Sequence, residues 1–432
     1  MQLKAVREIK KIHFKETDTL VIFGEVFPGG YVSGLIRSAQ SKGMKVIYST
    51  VGRRDSDGKL RQLNAQELES QPSPLINIPL EAGFDMEPSH SGQRPIDLCQ
   101  EIKLSQWDQT TLDKNVIEDS KKRAILSFQN RTKQWLKELT ALLPDKGNVL
   151  IAHTMAGGVP RTKILLPILN RVLKGVGKRF FSSEVFWKSD MGWFCENNFN
   201  EVTAQTYKHL IELSTPLREQ LNKQNRQIFY TAYSYHGTEV LIENQYQWQT
   251  YSPYLQGFAK MELENISSDF SRKGLNTCVF NVPEILTKSS AVFPGVEIPL
   301  YTILGALKKD GGEDGQKIVS HCLKQMTKDA FNIITETTKN YFESEEVKKQ
   351  SVFEKWPQHN STAQMEKMLN ISKKLSSLHK DTSQSITPFL SETLFNSCGN
   401  LILQEIAQTK QAVCWLGHDV IASDIRDRER YL

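Results

Sequence analysis

The sequence predicts an α/β fold: a Rossmann-like, doubly wound parallel sheet with helices on both faces, long insertions and a helical C-terminal extension. Three observations predict it. Short apolar runs bounded by turn residues recur through the first two thirds of the chain, alternating with stretches of helical period. The first run ends in a glycine turn that opens a helix. After the fifth run, a tyrosine and a lysine bracket the start of another helix. At 432 residues, 39% of them hydrophobic and 7 of them Trp, the chain is globular in composition and longer than a single core usually supports.

Thr19 to Gly24, Thr-Leu-Val-Ile-Phe-Gly, reads as a buried parallel strand, because a strand covered on both faces is apolar throughout. Glu-Val-Phe-Pro-Gly-Gly-Tyr-Val-Ser-Gly follows, then a helical stretch to Gly43. Strand, glycine turn and helix form the context in which a dinucleotide pyrophosphate is held at a helix N-terminus. The glycines Gly24, Gly29, Gly30 and Gly34 do not make a regular G-x-G-x-x-G, so a structural turn without ligand is an equal reading of this segment. Lys45 to Thr50 is the second strand and runs into Val-Gly-Arg-Arg-Asp. Arginines at that strand end favour a ribose 2′-phosphate, so Arg53 and Arg54 lean toward NADP(H) over NAD(H); an exposed basic turn is the alternative.

Residues 56–145 form a long interval. It holds a polar segment from Ser56 to Ser73, a third strand at Leu75 to Leu80, an extended loop from Glu81 to Gln93 and a helix over Val116 to Leu143. Pro144 and Gly147 end that helix. Asn148 to His153 is the fourth strand. It leads into Thr-Met-Ala-Gly-Gly-Val-Pro-Arg-Thr-Lys, where small residues around Met155 and Ala156 permit close approach of a ligand. His153 reads as a hydrogen-bonded strand-end histidine rather than a base. A helix follows over Ile164 to Val176. The aromatic stretch Phe180 to Asn198 suits either an apolar wall or core packing, and a helix over Glu201 to Lys223 carries a break at Pro216. Gln227 to Ser234 is the fifth strand and Asn276 to Val282 the sixth. From Leu300 the chain is mostly helical, with a polar break near Pro357 to Ser361; Trp415 and His418 read as packing and surface residues. The expected division is a dinucleotide-binding and catalytic domain over 1–310, with its insertion at about 56–145, and a helical extension over 311–432 packed on it.

Tyr251 and Lys260 are nine positions apart, which on one straight helix places them on opposite faces. They converge only if Tyr251 lies outside the helix. Pro253 suits the first helical position, Ser252 the N-cap, and the residue before a proline is pushed out of the helical region. A nearby ammonium favours a phenolate and makes a better proton donor of the phenol. An aromatic helix start with a solvated lysine is the plainer reading of the pair in isolation.

The net charge of +5 is compatible with an anionic ligand and makes no case for nucleic acid; no nucleic-acid motif stands out. The six cysteines form no close pair, so neither a zinc site nor a disulfide framework is suggested, and scattered thiols fit a reducing cytoplasm. The N-terminus lacks an apolar signal core, and no run approaches the length of a membrane span.

The alternation of strands and helices, the glycine turn and the tyrosine–lysine helix resemble the short-chain dehydrogenase/reductase superfamily. Within it, the Tyr-x8-Lys spacing of Tyr251 and Lys260 resembles the FabV-type trans-2-enoyl-CoA/ACP reductases. Val149 to Lys163 is similar to that family's fourth-strand segment. The Tyr-x-Gly from Tyr235 looks like its fifth-strand end, and Thr287 to Tyr301 resembles its loop after the sixth strand. The similarity spans about residues 148–327. The glycine turn, the interval before Asn148, the extra residues between Tyr235 and Tyr251 and the tail depart from the pattern.

The resemblance implies an NAD(P)H-dependent reductase of 2-enoyl thioesters carried on CoA or acyl carrier protein, in fatty acid metabolism. Tyr251 and Tyr235 would meet the thioester oxygen. Lys260 would hold the nicotinamide ribose, Thr287 would touch the carboxamide, and Gly24, Gly29 and Gly30 would line the pyrophosphate. No metal is implied, and oligomeric state stays open. Another short-chain-type oxidoreductase, acting on a keto or modified acyl substrate, and a non-catalytic reductase-like binding protein are the alternatives.

Overall fold

The computed structural model describes residues 5–8, 14–250, 257–287, 295–381 and 385–427. Seven parallel strands make the central sheet: β1 (Thr19–Phe23), β2 (Lys45–Thr50), β3 (Leu75–Pro79), β4 (Val149–His153), β5 (Ile228–Ser234), β6 (Thr277–Asn281) and β7 (Val413–Trp415). Their order across the sheet is β7-β6-β5-β4-β1-β2-β3. The order reverses between β1 and β4, which pair in register from Thr19 opposite Val149 to Phe23 opposite His153. Such a switch point opens a crevice at the carboxyl ends of the strands.

Alternation along each strand explains why the runs are apolar throughout. Leu20 and Ile22 of β1, with Leu150 and Ala152 of β4, enter the core on one face. Val21 and Phe23, with Val149 and Ile151, enter the core on the other. The first face is covered by α1 (Tyr31–Ser41) and by C-terminal helices, the second by α2 (Lys114–Leu142) and its neighbours. The aromatic stretch, expected as a loop that forms an apolar wall or packs in the core, folds as two short helices, Ser183–Lys188 and Asp190–Asn200, and takes the core reading, burying Phe186, Met191 and Phe194 in a third core. Pro216 lies at the start of the helix Thr215–Lys223, so the expected break falls at Ser214.

The C-terminal part of the chain returns to the sheet. Strand β7 pairs with β6, and Ala5 bridges to Trp415. Helix α4 (Thr387–Glu405) crosses α1 at backbone contact: a Cβ on Gly34 would lie 1.9 Å from the Phe395 carbonyl oxygen, and one on Gly399 would lie 2.1 Å from the Gly34 carbonyl carbon. Only glycines permit that approach. All six cysteines are buried thiols. Among the described residues no helix is long and apolar enough to cross a membrane.

Candidate active site at the sheet switch point

The carboxyl ends of β1, β4, β5 and β6 lie along one edge of the parallel sheet, and the turns after them carry the candidate residues. After β1, Gly24 adopts φ +127°, and a Cβ there would lie 2.4 Å from Thr154 Oγ1. Gly24 therefore lets the first turn close on the turn after β4, whose Thr154 N–H donates to the Phe23 carbonyl at 2.9 Å. Gly29 and Gly30 behave differently: a Cβ on either would meet nothing within 4 Å. Gly30 is the N-cap of α1 and supplies no side-chain cap. The approach to the start of this 11-residue helix is thus clear of side chains at Gly29 and Gly30, while the Ser33 N–H turns back to the Gly30 carbonyl at 2.9 Å; a helix N-terminus reached past such glycines suits an anion.

The turn after β4 is held from behind. Gly157, at φ +133°, both donates to and accepts from Thr203 Oγ1, on a π-helical turn over Glu201–Gln205. Asn198 Nδ2 donates to the Gly158 carbonyl at 2.8 Å. Met155 is buried in the second-face core while Ala156 is exposed, so the two expected contacts offer a ligand backbone and a methyl group respectively. His153 is buried against Phe23 and hydrogen-bonds Thr206 Oγ1 at 2.8 Å. Burial pushes it down to about 3, with the Lys260 charge adding to the effect, so it stays neutral.

The chemistry-bearing side is built by β5, β6 and α3 (Gly257–Arg272). Lys260, in the first turn of the described helix, is 2% exposed. Its ammonium donates to the Tyr233 carbonyl at 2.7 Å and lies 5.3 Å from the centre of the Tyr235 ring. Burial lowers Lys260 to about 7, opposed by the Glu264 carboxylate one turn on. Tyr31, from the first turn of α1, stacks at 6.2 Å on Tyr233 and sits 6.3 Å from Tyr235. Its hydroxyl donates to the Pro283 carbonyl at 2.5 Å. Three tyrosines and one lysine therefore meet where the helix with the open N-terminus passes the end of β5. Tyr235 is pushed up to about 12 by burial, so desolvation rather than the neighbouring ammonium governs this phenol, which remains a donor at neutral pH.

Beneath Lys260, the fully buried Glu264 gathers three donors. Ser234 Oγ at the end of β5 approaches at 2.6 Å, Asn281 Nδ2 at the end of β6 at 2.9 Å, and His236 Nδ1 at 3.2 Å. His236 is clamped by Trp356 at 4.2 Å on one stacking contact and Phe353 at 4.9 Å on the other. In the loop after β6, Glu284 is pushed up to about 8 by burial and by Glu297, and the Leu286 N–H donates to Ser391 Oγ. Thr287 ends this described stretch. Tyr251, with the expected N-cap Ser252 and Pro253, lies outside the described residues.

The expectations thus meet the structure unevenly. It brings Tyr235 and Lys260 together and sets the open Gly29–Gly30 turn beside them. Sequence reasoning missed Tyr31, the Tyr233 carbonyl, Glu264 and Glu25. The first belongs to the glycine turn already singled out, and Glu264 is one helical turn from Lys260, so both had a signal in spacing.

A family model for enoyl-acyl carrier protein reductase FabMG matches residues 2–425. The chain belongs to the FabMG enoyl-acyl carrier protein reductase family. Two solved FabMG structures resemble it over nearly their whole length. An apo FabMG is 38% identical with a TM-score of 0.95 and covers 99% of both chains. An NADH-bound FabMG is 35% identical with a TM-score of 0.79 and covers 98% of both chains. No curated protein sequence matches. The expected FabV-type resemblance therefore holds at the level of enoyl-acyl carrier protein reduction, and FabMG is the family shown.

The expected lean toward NADP(H) is corrected. The FabMG relative binds NADH. Here both arginines that motivated the lean are already paired. Arg53 is bidentate to Glu25, with both contacts at 2.9 Å, and Arg54 donates twice to Glu81, at 2.9 and 2.6 Å. A guanidinium held in a fork by a carboxylate is not a free phosphate ligand.

Proposed function

We propose that this chain is an NADH-dependent reductase of 2-enoyl thioesters borne by acyl carrier protein or CoA. The observation that carries the reading is the buried Lys260, fixed on the Tyr233 carbonyl and facing the Tyr235 ring, beside a glycine turn that leaves a helix N-terminus open. The residues fit a dinucleotide: Gly29 and Gly30 leave the approach to the α1 N-terminus free of side chains.

The α1 N-terminus and the Gly29–Gly30 backbone would hold the pyrophosphate, and Lys260 would take the nicotinamide ribose and lower the local cost of the negative charge that develops in the reaction. When bound, NADH supplies hydride to the β-carbon of the enoyl group. Negative charge then grows on the thioester oxygen, and Tyr235, together with Tyr251, hydrogen-bonds that oxygen and returns a proton. Because burial keeps Tyr235 protonated far above neutral pH, it enters the reaction as a donor.

Purified protein mixed with NADH and a 2-enoyl-acyl carrier protein tests the reading through the nicotinamide absorbance. Oxidation that requires the enoyl substrate is the expected result. Tyr235→Phe should slow turnover by about 10²-fold, in the range for removing one oxyanion donor, while NADH binding is kept. Full activity in Tyr235→Phe would remove that tyrosine from the chemistry. Turnover of a ketone but not of the enoyl thioester would replace the substrate class.

A further inference from the structure

The first turn carries a carboxylate whose position is unusual for its place in the chain. Glu25 directly follows Gly24 at the end of β1, yet its side chain serves the end of β2. Its Oε2 accepts from Thr50 Oγ1 at 3.1 Å, from the Val51 N–H at 3.3 Å and from Arg53 Nη1 at 2.9 Å; its Oε1 accepts from Arg53 Nη2 at 2.9 Å. Its side chain is 10% exposed and that of Arg53 is 35% exposed. Gly52, at φ +82°, makes the tight turn that swings Arg53 back; a Cβ there would lie 2.6 Å from Pro79 Cβ.

In dinucleotide folds an acidic residue at the end of the second strand accepts a hydrogen bond from the adenosine ribose 2′-hydroxyl, whereas a free arginine there accommodates a 2′-phosphate. Here the positions after β2 read Val51, Gly52, Arg53 and Arg54, with no acid. Asp55 is occupied within its own turn, accepting from the N–H groups of Asp57 and Lys59. The carboxylate at that strand end therefore comes from the turn after β1. Oε2 has three donors and Oε1 one, so Oε1 keeps acceptor capacity. The same pair both supplies an acceptor and withdraws the arginine.

We infer that Glu25 selects the cofactor, accepting the ribose 2′-hydroxyl and holding Arg53 away from any 2′-phosphate. The inference rests on the NADH reading above and adds to it the residue responsible. A 2′-phosphate brought to this strand end meets a fixed carboxylate of like charge and an arginine whose fork is already filled. Removing the carboxylate both ends that repulsion and releases Arg53, so one substitution should reverse the preference.

Binding of NADH and of NADPH to the full chain, without thioester, by calorimetry or tryptophan fluorescence tests this. The parent protein should bind NADH more tightly. Glu25→Ala should weaken NADH by about tenfold and tighten NADPH by at least as much, and Glu25→Gln should move both in the same directions by less. Adding Arg53→Ala to Glu25→Ala should abolish the NADPH gain, whereas Arg53→Ala alone should leave NADPH weak. A parent that binds NADH, but whose NADH-to-NADPH ratio is unchanged in both Glu25 variants, overturns this inference and leaves the reductase reading standing. A parent that binds neither cofactor removes both. If Glu25→Ala fails to fold, Glu25→Gln decides, since it keeps the shape and removes the charge.

Discussion

The two sides of the switch point are built from different materials. On the adenosine side, beyond β1, the ligand would meet glycine backbone and a helix start, flanked by carboxylates paired with partly exposed arginines. On the β5–β6 side it would meet side chains in a desolvated network, with Lys260 at 2% and Glu264 at 0% exposure. Backbone N–H groups are fixed by the fold and cost nothing to preorganise, but each contributes modestly. Buried charges contribute much and tolerate little, because removing one partner leaves the others without water. Binding is therefore expected to be graded across the first side and chemistry to be steep across the second.

The largest effect should come from Lys260→Met, which removes the buried ammonium and keeps a chain of similar length. Steady-state kinetics should show kcat down by about 10²- to 10³-fold with a much smaller change in NADH affinity. Equal losses in both would erase the contrast between the two sides. Next comes Glu264→Ala, which strands Ser234, Asn281 and His236 without their acceptor. Urea unfolding should report a loss of about 3 kcal/mol, and a loss under about 1 kcal/mol would show that water replaces the carboxylate.

The third test is pH. Lys260 lies near 7 in the folded protein and near the ordinary lysine value of about 10.4 when unfolded. Between these values the unfolded chain binds more protons, so stability should rise with pH, by at most about 1.4 kcal/mol per pH unit. The cost of burying the ammonium is fully present below pH 7. Lys260→Met should remove this slope from denaturation midpoints measured between pH 7 and 9, and an identical slope in parent and variant would move its origin elsewhere. Smallest of all is Gly30→Ala. Its Cβ meets open space, so stability should change by less than about 1 kcal/mol while NADH binding weakens about fivefold. Unaltered NADH binding would take the pyrophosphate away from this turn.

Six of the seven sheet strands were legible because a parallel strand covered on both faces is a continuous apolar run. Strand β7 was not: Val413–Trp415 is three residues long, and only its pairing with β6 and with Ala5 makes it a strand. The antiparallel hairpin Gly237–Ile242 with Gln245–Thr250 also escaped, since its first strand is buried throughout while the second shows mixed exposure, which hides any alternation. In the site, Lys260 was legible from its position at a helix start after the fifth strand. Arg53 and Arg54 were placed correctly at the end of β2 but assigned the wrong ligand. Their partners Glu25 and Glu81 are 28 and 27 positions away, and a sequence does not display which carboxylate a guanidinium will find.

The glycine contact between α1 and α4 also governs timing. Gly34 and Gly399 are 365 positions apart, yet their backbones touch behind the helix whose N-terminus is the proposed anion site. Contacts of such long sequence separation carry a large loop-closure cost and form late. During synthesis the glycine turn emerges first, but the helix it caps gains its backing only once the residues around Gly399 are available. A chain shortened before α4 would keep the glycine turn but lose the helix that backs it, so the turn and its wall would no longer be built together.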